Sequence, residues 1–188
     1  MDIKGSQAVI LPEGAFVIGT YDAEGKPDAM IAAWGAQSDY GEITFFLAKH
    51  KTTENIKVTK AFTVAFATEE TMVISDYFGL VSGNKDDKIF KSGVHVHKAP
   101  HVNAPVIEEY PLTLECEVKS YDDETGILVG TIVNELADDS IMTDGNVDPD
   151  KFHPILCDPG TGTYRKIGPV VGKAFHVGLQ IRNDTAEW

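Results

Sequence analysis

The hydrophobic positions of this chain fall mainly in short runs, each closed by turn-forming residues. Ala15 to Tyr21 is apolar and rich in β-formers, and Asp22-Ala-Glu-Gly-Lys-Pro27 follows it as a turn. Met30 to Ala36 and Ile43 to Leu47 resume the strand pattern on either side of Ser38-Asp-Tyr-Gly41. In Ala61 to Ala67, Phe62, Val64 and Phe66 take every second position, so one face of a strand belongs to a core. Leu112 to Tyr121 and Ile127 to Val133 flank Asp122-Asp-Glu-Thr-Gly126, a hairpin with a loop of about five residues. Strands at this spacing predict a mainly β fold, either a barrel or a sandwich.

Three helices interrupt the strands. Thr52 or Thr53 can cap a helix running to about Lys60, with Ile56 on its apolar side. A second is predicted over Glu69 to Phe78 after Thr68, with Gly79 as its C-terminal cap. A short third falls near Asp86 to Lys91, and from Asp138 the chain turns loop-rich, with Gly and Pro spread through Asp144 to Pro169. No repeat, low-complexity tract or linker breaks residues 1–188, so one domain is expected.

Composition narrows the function classes. A 43% hydrophobic content over 188 residues suffices for a sizeable core, and the net charge of −13 opposes nucleic acid and anionic membranes. No apolar run approaches the roughly 20 residues of a membrane-spanning helix. Met1 to Ser6 lacks the basic and apolar regions of a secretory signal, so a cytoplasmic protein is the simplest expectation. Cys116 alternates with Leu112, Leu114 and Val118 and is expected to be a core thiol; neither it nor Cys157 belongs to a CxxC pair.

Two stretches carry candidate chemistry. Lys49-His50-Lys51-Thr52-Thr53 follows a strand and opens a helix, where free N–H groups and the helix dipole attract an anion. Two lysines, a histidine and two hydroxyls there form a phosphate-sized cradle; the plainer reading is a solvated basic turn. In Asp28 to Gly35, the small residues around Trp34 let a planar ligand approach the backbone, although from the residues alone a core strand with an aromatic plug is the better reading.

Other chemistry is weaker. His95 and His97 would share a strand face and, with His101, raise a metal site, but no carboxylate motif completes it and a surface loop reads better. The acidic Asp138-Asp139 and Asp144 to Asp150 region reads most simply as a solvated loop, with Ca²⁺ binding the lesser alternative. Gly-x-Ser-x-Gly, GxGxxG and GxxxxGK[ST] are all absent, which leaves serine-hydrolase, Rossmann and P-loop sites without support.

Taken in order, these pieces resemble the flavin reductase-like family of FMN-binding split barrels, in its flavoredoxin-like branch. Asp28-Ala-Met-Ile-Ala-Ala-Trp34 looks like the family's Asn-x-Met-Thr-x-Ser-Trp strand, and Lys49 to Thr53 followed by Glu-Asn-Ile looks like its phosphate turn. Ser75-Asp-Tyr-Phe-Gly79, Ser82-Gly83 and Asp87-Lys-Ile-Phe90 resemble the Asp-x-x-Gly, Ser-Gly and Asp-Lys-Phe elements. Ala104-Pro-Val-Ile107 and Leu112 to Val118 match two further segments, so the likeness spans nearly the whole chain.

The resemblance implies a mainly β, Greek-key-like split barrel with flanking helices, working as a homodimer with FMN near the interface. By analogy Met30, Ile31, Ala32, Ala33 and Trp34 line the flavin, and Lys49, His50, Lys51, Thr52 and Thr53 hold its phosphate. Asp76, Tyr77, Phe78, Ser82 and Lys88 close the site, with the partner subunit as one source. The implied activity is an NAD(P)H-dependent oxidoreductase in which nicotinamide C4 delivers hydride to flavin N5. The rivals are an electron carrier served by a redox protein, without NAD(P)H turnover, and a binding protein that has lost the flavin. Asp28, Ile31 and Ala33 depart from the pattern: two hydroxyls are gone, and Asp28 is expected to repel a nearby phosphate.

Overall fold

A computed structural model describes residues 12–182; Met1 to Ser6, read above for a targeting signal, lies outside the described residues. Strands β1 (Phe16–Tyr21), β2 (Pro27–Ala32), β3 (Gly35–Asp39) and β4 (Glu42–Phe46) come first. With β5 (Ala61–Phe66), β6 (Leu112–Tyr121) and β7 (Ile127–Ala137) they form one seven-stranded antiparallel sheet, in the order β2-β1-β5-β6-β7-β4-β3.

The two edges of that sheet, β2 and β3, are consecutive in the chain and separated by only Ala33 and Trp34. Consecutive Cα atoms stand about 3.8 Å apart, so edges joined by two residues must meet at that end. The sheet therefore curls on itself into the split barrel. Gly35 N–H donates to the Ala33 carbonyl at 3.1 Å and Phe46 N–H to the Trp34 carbonyl at 2.9 Å, which pins the seam. The expected continuous strand from Met30 to Ala36 is thus corrected to two strands on opposite edges. Local hydrophobicity hides the break, because both pieces are small and apolar.

Ile18, Phe45, Phe62, Val64, Leu114, Cys116 and Leu128 fill the barrel, and Ile56 of helix α1 (Lys51–Thr59) closes one end. Each large side chain buried there stabilises the fold by about 1.5–3 kcal/mol. Gly130 makes room for the core: a Cβ there would stand 2.4 Å from the Phe62 ring. Cys116 is the expected buried thiol, pushed up to about 12 by burial and then by the neighbouring Glu115 charge. On the outer face of β1, β2 and β5, Val17, Ala29 and Ala65 lie under helices α2 (Met72–Leu80) and α3 (Lys88–Ser92), which contribute Phe78 and Ile89.

The helix starts differ from expectation. His50, not a threonine, is the N-cap of α1; Thr53 sits inside, its hydroxyl accepting from His50 N–H at 2.9 Å and donating to the His50 carbonyl at 2.8 Å. Helix α2 starts later than predicted because Thr68 and Thr71 bind each other's backbone N–H at 2.8 and 3.2 Å, holding Glu69 and Glu70 in a turn. Gly79 lies within α2 and is not its cap: a Cβ there would stand 2.7 Å from Ile31 Cγ2, so glycine permits close approach to β2. Near the end of the described chain, Ile155–Asp158 and Thr163–Lys166 form a hairpin that also pairs with Glu13–Gly14. Among the described residues no helix is long and apolar enough to cross a membrane.

Candidate functional site

A groove follows the barrel seam in two adjoining parts that share Met30, Ile31 and His50. The larger, about 410 Å³, is walled by Ala32, Ala33, Trp34, Phe46, Leu47, Ala48 and Thr125. The smaller, about 200 Å³, reaches Lys51, Thr52, Phe78, Gly79, Ser82, Gly83 and Lys88. One part is mostly apolar, and the other opens on the basic start of a helix.

Local structure explains both ends. Among the described residues β2 pairs only with β1, so every second backbone amide on its outer edge has no partner in the described sheet. Those amides supply polar groups beside Ile31 and Ala33, whose side chains have none. Trp34 is 63% exposed at the seam, which corrects the reading of it as a core plug. At the other end, the first turn of α1 leaves its N–H groups without helical acceptors. Lys51 is half-buried there with its ammonium 3.8 Å from Asp22, while Thr52 is buried.

Asp28 does not face an open anion site. Its carboxylate is 3.3 Å from the Lys88 ammonium and accepts a 3.0 Å hydrogen bond from the Thr52 hydroxyl, with all three residues buried. Lys88 also donates to the Phe78 carbonyl at 3.5 Å. A Cβ at Gly83 would lie 2.4 Å from Asp28 Oδ1, so the Ser82-Gly83 turn closes over the carboxylate only because it has glycine there. The expected repulsion is corrected: Lys88 neutralises Asp28 beneath the groove, and Thr52 is held by it.

The structure brings Met30 to Trp34, His50, Lys51, Thr52, Phe78, Ser82 and Lys88 to one groove within a single chain. Lys49, Thr53, Asp76 and Tyr77 are not among its walls. Thr53 spends its hydroxyl on His50, and Asp76 accepts from the Tyr164 hydroxyl at 2.9 Å. Burial first, and then that hydrogen bond to Asp76, pushes the Tyr164 phenol well above its ordinary value. Sequence reasoning missed Phe46 to Ala48 and Thr125. The turn glycine was the available signal: Gly126, at φ 73°, accepts from Leu47 N–H at 2.8 Å and brings Thr125 against that strand.

The three histidines do not converge. His95 Nδ1 lies 2.9 Å from Glu109, His97 Nδ1 3.2 Å from Glu108 and His101 Nδ1 2.8 Å from Glu115. Among the described residues, no three His, Cys, Asp or Glu groups are placed to hold a metal.

Residues 9–148 match the family described as the flavin reductase like domain, and the chain belongs to that family. It is similar to the flavoredoxin of Desulfovibrio vulgaris (Miyazaki F), with TM-score 0.90 and 28% identity over 95% of this chain and 99% of that one. The flavoredoxin of Methanosarcina acetivorans gives 0.87 and 27% over 96% and 99%. An FMN-binding protein of Thermus thermophilus, solved with bound 1-cyclohex-2-enone, shares the fold at TM-score 0.73 and 17% identity over 90% and 100%. A search of curated proteins finds no match.

Proposed function

We propose that the groove binds FMN and that the protein is a flavin-dependent oxidoreductase drawing electrons from NADH or NADPH. The observation that carries this reading is the pairing, in one groove, of an apolar slot at Met30 to Trp34 with the basic N-terminus of α1. A volume of about 410 Å³ falls in the range of about 300–1,000 Å³ typical of small-molecule sites. Bound flavin supplies hydride-accepting chemistry in its ring system. The chain's residues supply the rest: the free edge of β2 offers backbone donors to ring oxygens, and Met30 and Trp34 offer apolar contact. Lys51 and the first-turn amides of α1 offer charge and N–H groups to the phosphate. Trp34 and Phe46 leave an exposed aromatic mouth through which a nicotinamide can reach the ring.

FMN titration tests the reading. The purified protein is expected to show oxidised-flavin absorption, and Lys51→Ala to weaken FMN binding about tenfold, the loss of about 1.4 kcal/mol of a charge-assisted contact. A colourless protein that ignores added FMN sinks the proposal. A second reading, an electron carrier without nicotinamide turnover, draws support from the whole-length likeness to two flavoredoxins. Bleaching by NADH or NADPH under argon favours the first reading; bleaching only by a reduced protein favours the second.

A further inference from the structure

A second recess lies apart from the groove and shares none of its walls. The ribbon of Val96–Lys98 and Pro105–Ile107 covers the outer face of β5 and β6. Thr63 of β5 ties it down by donating to the Pro105 carbonyl at 2.6 Å. Between this ribbon and the end of β7 is a cavity of about 340 Å³. Val106, Tyr110, Thr113 and Leu136 form its floor, buried or half-buried, and His97, Glu108 and Asp138 stand exposed at its rim.

The floor holds a polar group that the fold leaves unsatisfied. Along β6, Leu114 and Cys116 point into the barrel, so alternation turns Thr113 and Glu115 outward. Glu115 is met there by His101 and Asn134, as Thr63 is by Pro105. Thr113 is 2% exposed, yet among the described residues its Oγ1 has no hydrogen-bond partner. Tyr110 does not relieve it, because the Tyr110 hydroxyl is engaged with Ser75 Oγ at 2.9 Å. A buried hydroxyl without a partner is costly, and an apolar residue of the same shape avoids that cost. A hydroxyl in this position therefore points to a ligand that bonds it.

The rim defines what else the ligand carries. One Glu108 oxygen lies 3.2 Å from His97 Nδ1, and the other is left open to the recess. Asp138 precedes the 3₁₀ turn Asp139–Ile141, but its side chain makes no capping hydrogen bond. None of the walls is Lys or Arg. Two carboxylates above an apolar floor attract a cation, and the net charge of −13 adds to that field. A bare metal ion does not fit, since no three His, Cys, Asp or Glu groups among the described residues are placed to hold one. We propose that the recess is a second binding site, for an aralkyl amine. The ring lies on Val106, Tyr110 and Leu136, the ammonium meets Glu108 and Asp138, and a hydroxyl at the far end bonds Thr113. The site does not depend on flavin being the ligand of the groove.

Isothermal titration calorimetry on the full-length protein tests this with tyramine, with 2-phenylethylamine, which lacks the phenol hydroxyl, and with 4-ethylphenol, which lacks the amine. Tyramine is expected to bind about fivefold more tightly than 2-phenylethylamine and about tenfold more tightly than 4-ethylphenol. Thr113→Val removes only the unpartnered hydroxyl and is expected to erase the first preference while both amines still bind. Glu108→Gln/Asp138→Asn alters two exposed rim residues and is expected to weaken tyramine about tenfold and leave 4-ethylphenol unchanged. The proposal is overturned if tyramine does not bind, or binds no more tightly than 4-ethylphenol. It is equally overturned if the rim variant holds tyramine as tightly as the parent, which would place the amine elsewhere, or if Thr113→Val keeps the preference for the phenol.

Discussion

Lys88 and Asp28, 60 residues apart in sequence, form a buried ion pair at 3.3 Å directly under the groove. The pair accounts for an aspartate in the strand that lines the groove and for a lysine beneath a helix. Thr52 and the Phe78 carbonyl take up further hydrogen-bonding capacity. Taking both charges out of water is costly, so each depends on the other.

Lys88→Met should therefore destabilise the fold by about 3–5 kcal/mol, because it strands a buried carboxylate. The double variant Lys88→Met/Asp28→Asn should recover much of that loss. Urea denaturation of the four proteins checks this, and additive losses would show that the two residues are not coupled.

Glu115 sets an acid limit on stability. It is fully buried, which opposes ionisation, yet His101 N–H at 2.8 Å, the His101 ring at 2.8 Å and Asn134 at 2.6 Å hold its carboxyl below the usual range. A lowered folded-state value means the stabilisation is complete above the unfolded-chain value of about 4.3 and fades as pH falls through the folded value. Glu115→Gln should lower the melting temperature at neutral pH and flatten its decline in acid. A melting curve that falls as steeply as the parent's below about pH 4 would contradict this role.

The two ends of the basic turn should separate in their effects. Thr53→Ala removes the hydroxyl that ties His50 and should cost about 1 kcal/mol of stability, with FMN affinity falling as the turn loosens. Lys49→Ala, exposed and off the groove walls, should leave both nearly unchanged. Thermal melts paired with flavin titration measure the difference.

Two turn glycines make a control pair. Gly25 and Gly126 share a positive φ, 82° and 73°, but a Cβ at Gly25 meets nothing within 4 Å while one at Gly126 would lie 2.1 Å from the Leu47 carbonyl oxygen. Gly25→Ala should cost about 1 kcal/mol from backbone strain alone. Gly126→Ala should cost clearly more and should also disturb the groove wall at Leu47 and Thr125. Equal losses in chemical denaturation would remove the packing argument.

Much of the fold was legible in the residues, because strand alternation and turn chemistry are local. The alternation of Phe62 and Val64 placed them in the core, the Asp122 to Gly126 turn placed the β6–β7 hairpin, and the basic turn before α1 stood out in an acidic chain. The seam at Ala33 and Trp34 did not, since a break between two small apolar stretches carries no periodic signal. Gly79 looked like a helix cap because glycine serves both as a terminator and as a point of close approach, and only the position of Ile31 separates these uses.

The sequence by itself determined a mainly β, acidic chain with a basic helix start, and its motif order indicated the family. Tertiary structure alone decided which edges meet to form the groove, that Lys88 cancels Asp28, and that Thr125 joins the Met30 strand. Those outcomes depend on pairings across tens of residues, which chain closure and burial set together and no local pattern encodes.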